Sequence, residues 1–117
     1  MNKVFVLVLA DTETKEALGR VVNAMETAKE FKEGGDEVRL VFDGAGTRWI
    51  GELASPGHKY HGLFESVKDR GGACSYCAGA FGVKAAVEKS GVLLLDEFDG
   101  HPSLRGAVSD GYQVISF

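Results

Sequence analysis

The chain opens on an unbroken apolar run, Val4-Phe5-Val6-Leu7-Val8-Leu9, whose β-branched and aromatic content predicts a strand buried on both faces. Asp11-Thr12-Glu13-Thr14 then offers capping oxygens and negative charge to a helix N-terminus. Leu18, Val21, Val22, Met25, Ala28 and Phe31 recur at the helical period, and Gly34-Gly35 ends that helix. Val38 to Phe42 is a second strand, closed by Asp43-Gly44-Ala45-Gly46. A short helix carries Trp49, Ile50 and Leu53 as far as Pro56-Gly57, and His58 to His61 reads as a loop. Leu63, Phe64 and Val67 line another short helix, ended by Gly71-Gly72. Ala73-Cys74-Ser75-Tyr76 is a brief third strand running into a helix from about Cys77. Val92 to Leu95 is a fourth strand, His101-Pro102-Ser103-Leu104 opens a last helix, and Gln113 to Phe117 is a fifth strand.

Strands that are continuous apolar runs, alternating with helices, predict a three-layer α/β/α architecture around a five-stranded, mostly parallel sheet. No linker or repeat divides it, so residues 1–117 read as a single domain. Ligands of such sheets bind beyond the carboxyl ends of the strands. Asp11, Asp43 to Thr47, Cys74 to Cys77 and Asp96 to His101 are the residues expected there.

Composition narrows the function. With 44% hydrophobic and 26% charged residues among 117, the chain is globular. Its 16 glycines, about twice the usual ~7%, fall singly or in pairs between apolar runs and mark turns. A formal net charge of −4 without a basic stretch argues against nucleic acid as a partner. No run reaches the ~18–20 apolar residues of a membrane span. The first ten residues resemble a miniature signal peptide, but they are short for one, Asp11 and Glu13 follow at once, and cleavage would delete a strand. The expected location is cytoplasmic.

The sharpest chemical feature is the pair Cys74 and Cys77, a C-x-x-C and the only cysteines. A thiol between a strand end and a helix start is expected to have its pKa lowered by the unpaired helix amides. The bland alternative is two small residues packing a tight turn. His58 and His61 add an H-x-x-H, and with the two cysteines they make a possible zinc set, although they lie on a loop. Gly44-Ala45-Gly46 is only a lone G-x-G, too little for a nucleotide site but able to present amides to an anion. Asp96, Glu97 and Asp99 read as a solvated turn. The chain has no G-x-S-x-G, so a hydrolase triad lacks support. Trp49 and Tyr76 read as core or subunit-contact residues.

Over nearly its whole length the sequence resembles the DsrE/DsrF-like sulfur-relay family. The similarity lies in the first strand with its long helix and in Val41-Phe42-Asp43-Gly44. It is most specific in the segment from Gly72 through Cys74 and Cys77 to Val83, and it continues from Gly100 to Leu104 and from Gly111 to Phe117. The resemblance implies a parallel five-stranded domain whose last strand returns beside the first, assembled as homotrimers, hexamers or related oligomers. It also implies that the cysteine after the third strand, with a glycine eight positions later, carries sulfur as a persulfide. Cys74 with Gly82 fits that spacing; Cys77 lies outside the minimal pattern.

The leading expectation is therefore a sulfur carrier or sulfurtransferase, with Cys74 and Cys77 as catalytic residues and sulfur-donor and sulfur-acceptor proteins or small persulfides as partners. No cofactor or metal is called for. The alternatives are a dithiol/disulfide redox or sensor protein using both cysteines, and a non-catalytic oligomeric module, zinc-binding through His58, His61, Cys74 and Cys77. Self-association is expected also because Trp49, Tyr60 and Phe64 look exposed on short helices around the site.

Overall fold

The computed structural model describes all residues 1–117. Its strands are β1 (Lys3–Val8), β2 (Glu37–Phe42), β3 (Gly71–Cys74), β4 (Leu93–Leu95) and β5 (Gln113–Ser116). Its helices are α1 (Lys15–Glu33), α2 (Trp49–Leu53), α3 (His61–Val67), α4 (Ser75–Ala80), α5 (Lys84–Ser90) and α6 (Leu104–Ser109). The strands form one sheet in the order β4-β3-β2-β1-β5, and every neighbouring pair is parallel. The last strand thus returns beside the first, and all carboxyl ends share one edge.

Local chemistry explains the long helix. Thr14 sits in extended conformation and its side chain accepts the Ala17 N–H at 3.0 Å, which satisfies one orphan donor of α1. Gly34 then donates back to Glu30, and Gly35 turns the chain at φ 81°, a value that favours glycine.

The two faces of the sheet are unequally covered. On one face Val4, Val6, Val8, Leu40 and Phe42 pack against Val21 and Met25 of α1, Trp49 and Ile50 of α2, and Phe64 and Val67 of α3. On the other, Phe5, Leu7 and Val41 meet only Ala107 of α6 among fully buried residues. Leu93 and Val114 lie level with this second face through their strand partners and remain 70% and 40% exposed. Helices therefore flank both sides, but one of them thinly, and β5 is exposed along its length.

Four sequence expectations need correction. Gly71 and Gly72 do not end a helix; they are strand residues, so β3 begins two residues earlier than expected and α4 starts at Ser75. A Cβ on Gly72 would stand 2.6 Å from Leu95 Cδ1, so the bare glycine is what lets the Leu95 side chain lie over β3. The helix expected from Cys77 is two helices, separated where Gly82 adopts φ 71°. His61 begins a helix instead of ending a loop. Finally, Trp49 is 2% and Phe64 0% exposed. Their helices turn their apolar sides onto the sheet, and the Trp49 ring N–H donates to the Ala10 carbonyl at 2.9 Å.

Candidate functional site

At the shared carboxyl edge, three strand ends converge. The chain leaves β2 through Asp43, whose carboxylate accepts the Gly44 N–H at 2.8 Å and caps a 3-10 turn over Gly44–Arg48. Gly46 in that turn lies against the Val8 carbonyl of β1, where no side-chain atom fits. Its own N–H bonds the Asp43 carbonyl. The Gly44-Ala45-Gly46 amides named as a possible anion cradle are thus partly engaged by Asp43 itself.

β3 ends on Cys74, and the chain turns at once into α4. The Cys74 sulfur is the cap of that helix, accepting the Cys77 N–H at 3.3 Å. Cys77 Sγ, one turn on and half-buried, donates to Asp43 Oδ1 at 3.4 Å.

Beyond β4, Phe98 and His101 exchange backbone hydrogen bonds of 2.8 and 2.7 Å across Asp99-Gly100. Both central residues have positive φ, 49° and 83°, as in the tight turn that Asp-Gly favours. This turn sets His101 Nδ1 3.2 Å from Cys74 Sγ. The Tyr76 ring lies against the imidazole with centroids 4.8 Å apart, and the Tyr76 N–H donates to the Gly100 carbonyl at 2.8 Å.

The electrostatics overturn the expected lowering of the Cys74 pKa. Cys74 has no exposed surface, and burial pushes its thiol up to about 12 from an ordinary 9.0. The Cys77 N–H pulls the other way, while hydrogen bonding from Cys77 and the Asp43 charge add to the rise. At rest the thiol is neutral. A base within reach is therefore what a reaction at Cys74 requires, and His101 is positioned to be that base.

Among the residues expected at the strand ends, Asp43, Cys74, Cys77 and His101 come together. Asp11 is held apart by Arg48, which bridges it at 2.9 Å and Glu13 at 3.1 Å. Asp96, Glu97 and Asp99 are exposed, as a solvated turn should be. His58 and His61 are not part of the cluster. His58 accepts the Tyr60 N–H, and the His61 ring contacts the Leu53 carbonyl at 2.8 Å and Glu65 at 3.6 Å. The zinc set built on these two histidines is therefore not assembled. The roles of Asp43 and His101 were not assigned from sequence; the signals pointing to them are their positions just past strands and the Asp99-Gly100 turn.

Both cysteines are free, and no helix is long and apolar enough to cross a membrane. The profile of the DsrE/DsrF-like family matches residues 2–117. An uncharacterized protein of Methanocaldococcus jannaschii is 38% identical over 88 residues, which cover 75% of this chain and 72% of that protein. In fold, the chain is similar to a conserved protein of unknown function from Bacteroides thetaiotaomicron. The TM-score is 0.61 at 15% identity, over 97% of this chain and 94% of the other. With a family match running from the second residue to the last, the chain belongs to the DsrE/DsrF-like family.

Proposed function

We propose that this protein is a sulfur carrier, taking sulfane sulfur as a persulfide on Cys74 and passing it to an acceptor thiol. The observation that carries the reading is the 3.2 Å contact between Cys74 Sγ and His101 Nδ1, beside a Cys77 N–H already aimed at that sulfur. The family is consistent with a sulfur relay. His101 accepts the Cys74 proton as the sulfur attacks the outer sulfur of a donor persulfide. The donor's S–S bond breaks, its thiolate leaves and is reprotonated, and Cys74 holds the new S–SH. Attack by an acceptor thiol reverses the sequence, with no net oxidation in either step. Because Cys74 is fully buried, loading includes displacement of the turn at residues 98–101, whose Gly100 carbonyl and His101 ring lie against its sulfur.

Donor and acceptor are thiol-bearing proteins or small persulfides, and the cytoplasm keeps both cysteines reduced. The working form is a homo-oligomer, trimer or hexamer. Exposed Leu93, Phe98, Leu104, Val108 and Val114, around the thin face of the sheet, supply its contact surface. A second reading is a dithiol redox protein, favoured by two free sulfurs within 4.8 Å of each other. Intact mass spectrometry after incubation with a small persulfide donor separates the two readings. A gain of one sulfur atom, absent from Cys74→Ser, supports the carrier; loss of two hydrogens without sulfur gain supports the disulfide.

A further inference from the structure

Each of Asp43, Cys74, Cys77 and His101 offers one donor atom, and these four atoms all lie within 4.8 Å of one another. They arrive from three strand ends that are far apart in sequence, and only Cys74 is fully buried. We propose that these four side chains form a tetrahedral site for zinc, with two thiolate sulfurs, the His101 Nδ1 and one Asp43 oxygen as ligands.

The dimensions fit. Zinc bonds of ~2.3 Å to sulfur and ~2.0–2.2 Å to nitrogen or oxygen place tetrahedral ligand atoms roughly 3.4–3.8 Å apart. Cys74 Sγ to His101 Nδ1 is already 3.2 Å, and Cys77 Sγ to Asp43 Oδ1 is 3.4 Å. The widest pair closes by about 1 Å, within the reach of side-chain rotation. Two soft sulfurs with one nitrogen select zinc over magnesium or calcium, which take oxygen shells.

Charge supplies an independent reason. The half-buried Asp43 carboxylate takes part in none of the ion pairs of the structure. Its neighbours are two thiols that become anions on metal binding, so the cation this cluster lacks is the one zinc brings. The surroundings also hold the ligands in place. The Gly44 N–H fixes the carboxylate, the Cys77 N–H bonds the Cys74 sulfur, and the Tyr76 ring braces the imidazole. As zinc binds, each thiol releases its proton to solvent and one metal–sulfur bond forms in its place.

This site does not depend on the sulfur-carrier reading, but it shares Cys74 with it, so the metal-bound and persulfide states exclude each other. Zinc would then set the fraction of protein able to load sulfur. The test is titration of the reduced, chelator-stripped protein with cobalt(II), followed by displacement with zinc. The site predicts intense tetrahedral d–d bands and thiolate-to-cobalt charge transfer, saturating at one metal per chain. Asp43→Asn, which keeps the cap on Gly44, and His101→Gln each weaken binding at least about tenfold. The double variant His58→Gln/His61→Gln binds as the native chain does. Circular dichroism checks the fold of each variant, and Asp43→Asn alone decides if His101→Gln does not fold. An octahedral spectrum, no saturable binding, or cobalt affinity unchanged in Asp43→Asn overturns the site. Sulfur loading of the metal-free protein would survive each of those results, so the two readings fail separately.

Discussion

Replacing Gly46 by alanine tests how the Asp43 loop is fastened to the sheet. A Cβ at this position would collide with the Val8 carbonyl group, its carbon only 2.9 Å away and its oxygen nearer still. That carbonyl belongs to β1, held between β2 and β5, and it accepts the Asp43 N–H at 2.9 Å. The obstruction is backbone, so the loop must move. Overpacking costs ~1–3 kcal/mol, straining the Asp43–Val8 hydrogen bond costs ~1 kcal/mol, and alanine's stiffer unfolded chain returns ~0.5–1 kcal/mol. The expected net loss is about 1–3.5 kcal/mol. Gly72→Ala is the matched control. Its Cβ would meet the end of the Leu95 side chain, which is only half-buried and can rotate, so about 1 kcal/mol is expected. Urea unfolding followed through the single, buried Trp49 measures both. A Gly46→Ala loss below about 0.5 kcal/mol, or a larger loss for Gly72→Ala, would refute the reasoning.

The buried Cys74 thiol, pushed up to about 12, should alkylate slowly in the Cys77→Ser protein at neutral pH and faster as pH rises. Denaturant should abolish the protection; a fast, pH-independent native rate contradicts it. Because a raised thiol pKa stabilises the folded state below its unfolded value and is lost as pH climbs through the folded one, native Cys74 should lose stability between pH 9.0 and about 12. Cys74→Ser should lose less of its own stability over that interval in pH-dependent urea titrations. Lys32 holds Asp69 below the ordinary carboxylate range through a 2.8 Å hydrogen bond. The stabilisation is present above the unfolded pKa and disappears as pH falls through the folded one, so Lys32→Ala should blunt acid destabilisation below about pH 4. Leu93→Asp with Val108→Asp should reduce the native light-scattering mass to that of one 12.5 kDa chain. A native protein already at that mass refutes the oligomer.

Much of this architecture was legible along the chain because its signals are local. The Thr14 cap, the helical period from Leu18 to Phe31 and the Gly34-Gly35 stop all act within a few residues of one another. β3 was misplaced because the same glycine pair that ends helices elsewhere serves here to admit Leu95, a residue 23 positions away. The topology of a parallel sheet brought Asp43, the cysteines and His101 into view as strand-end residues, but not their contacts. Asp43 is 34 positions from Cys77 and His101 is 27 from Cys74, and only the fold closes those distances. The H-x-x-H spacing of His58 and His61 pointed elsewhere, since proximity in sequence to a C-x-x-C is not proximity to its sulfurs. The thiol pKa went the other way because burial, which a strand-end position does not reveal, outweighs one N–H bond from a short helix.

The central claim is that Cys74 carries the sulfur. Tandem mass spectrometry of the persulfide-loaded, alkylation-trapped protein locates the added atom directly, in the native chain and in the two single cysteine variants. The added sulfur should lie on Cys74 in the native chain and in Cys77→Ser, and be absent from Cys74→Ser. Sulfur found on Cys77, or undiminished loading of Cys74→Ser, would contradict the assignment.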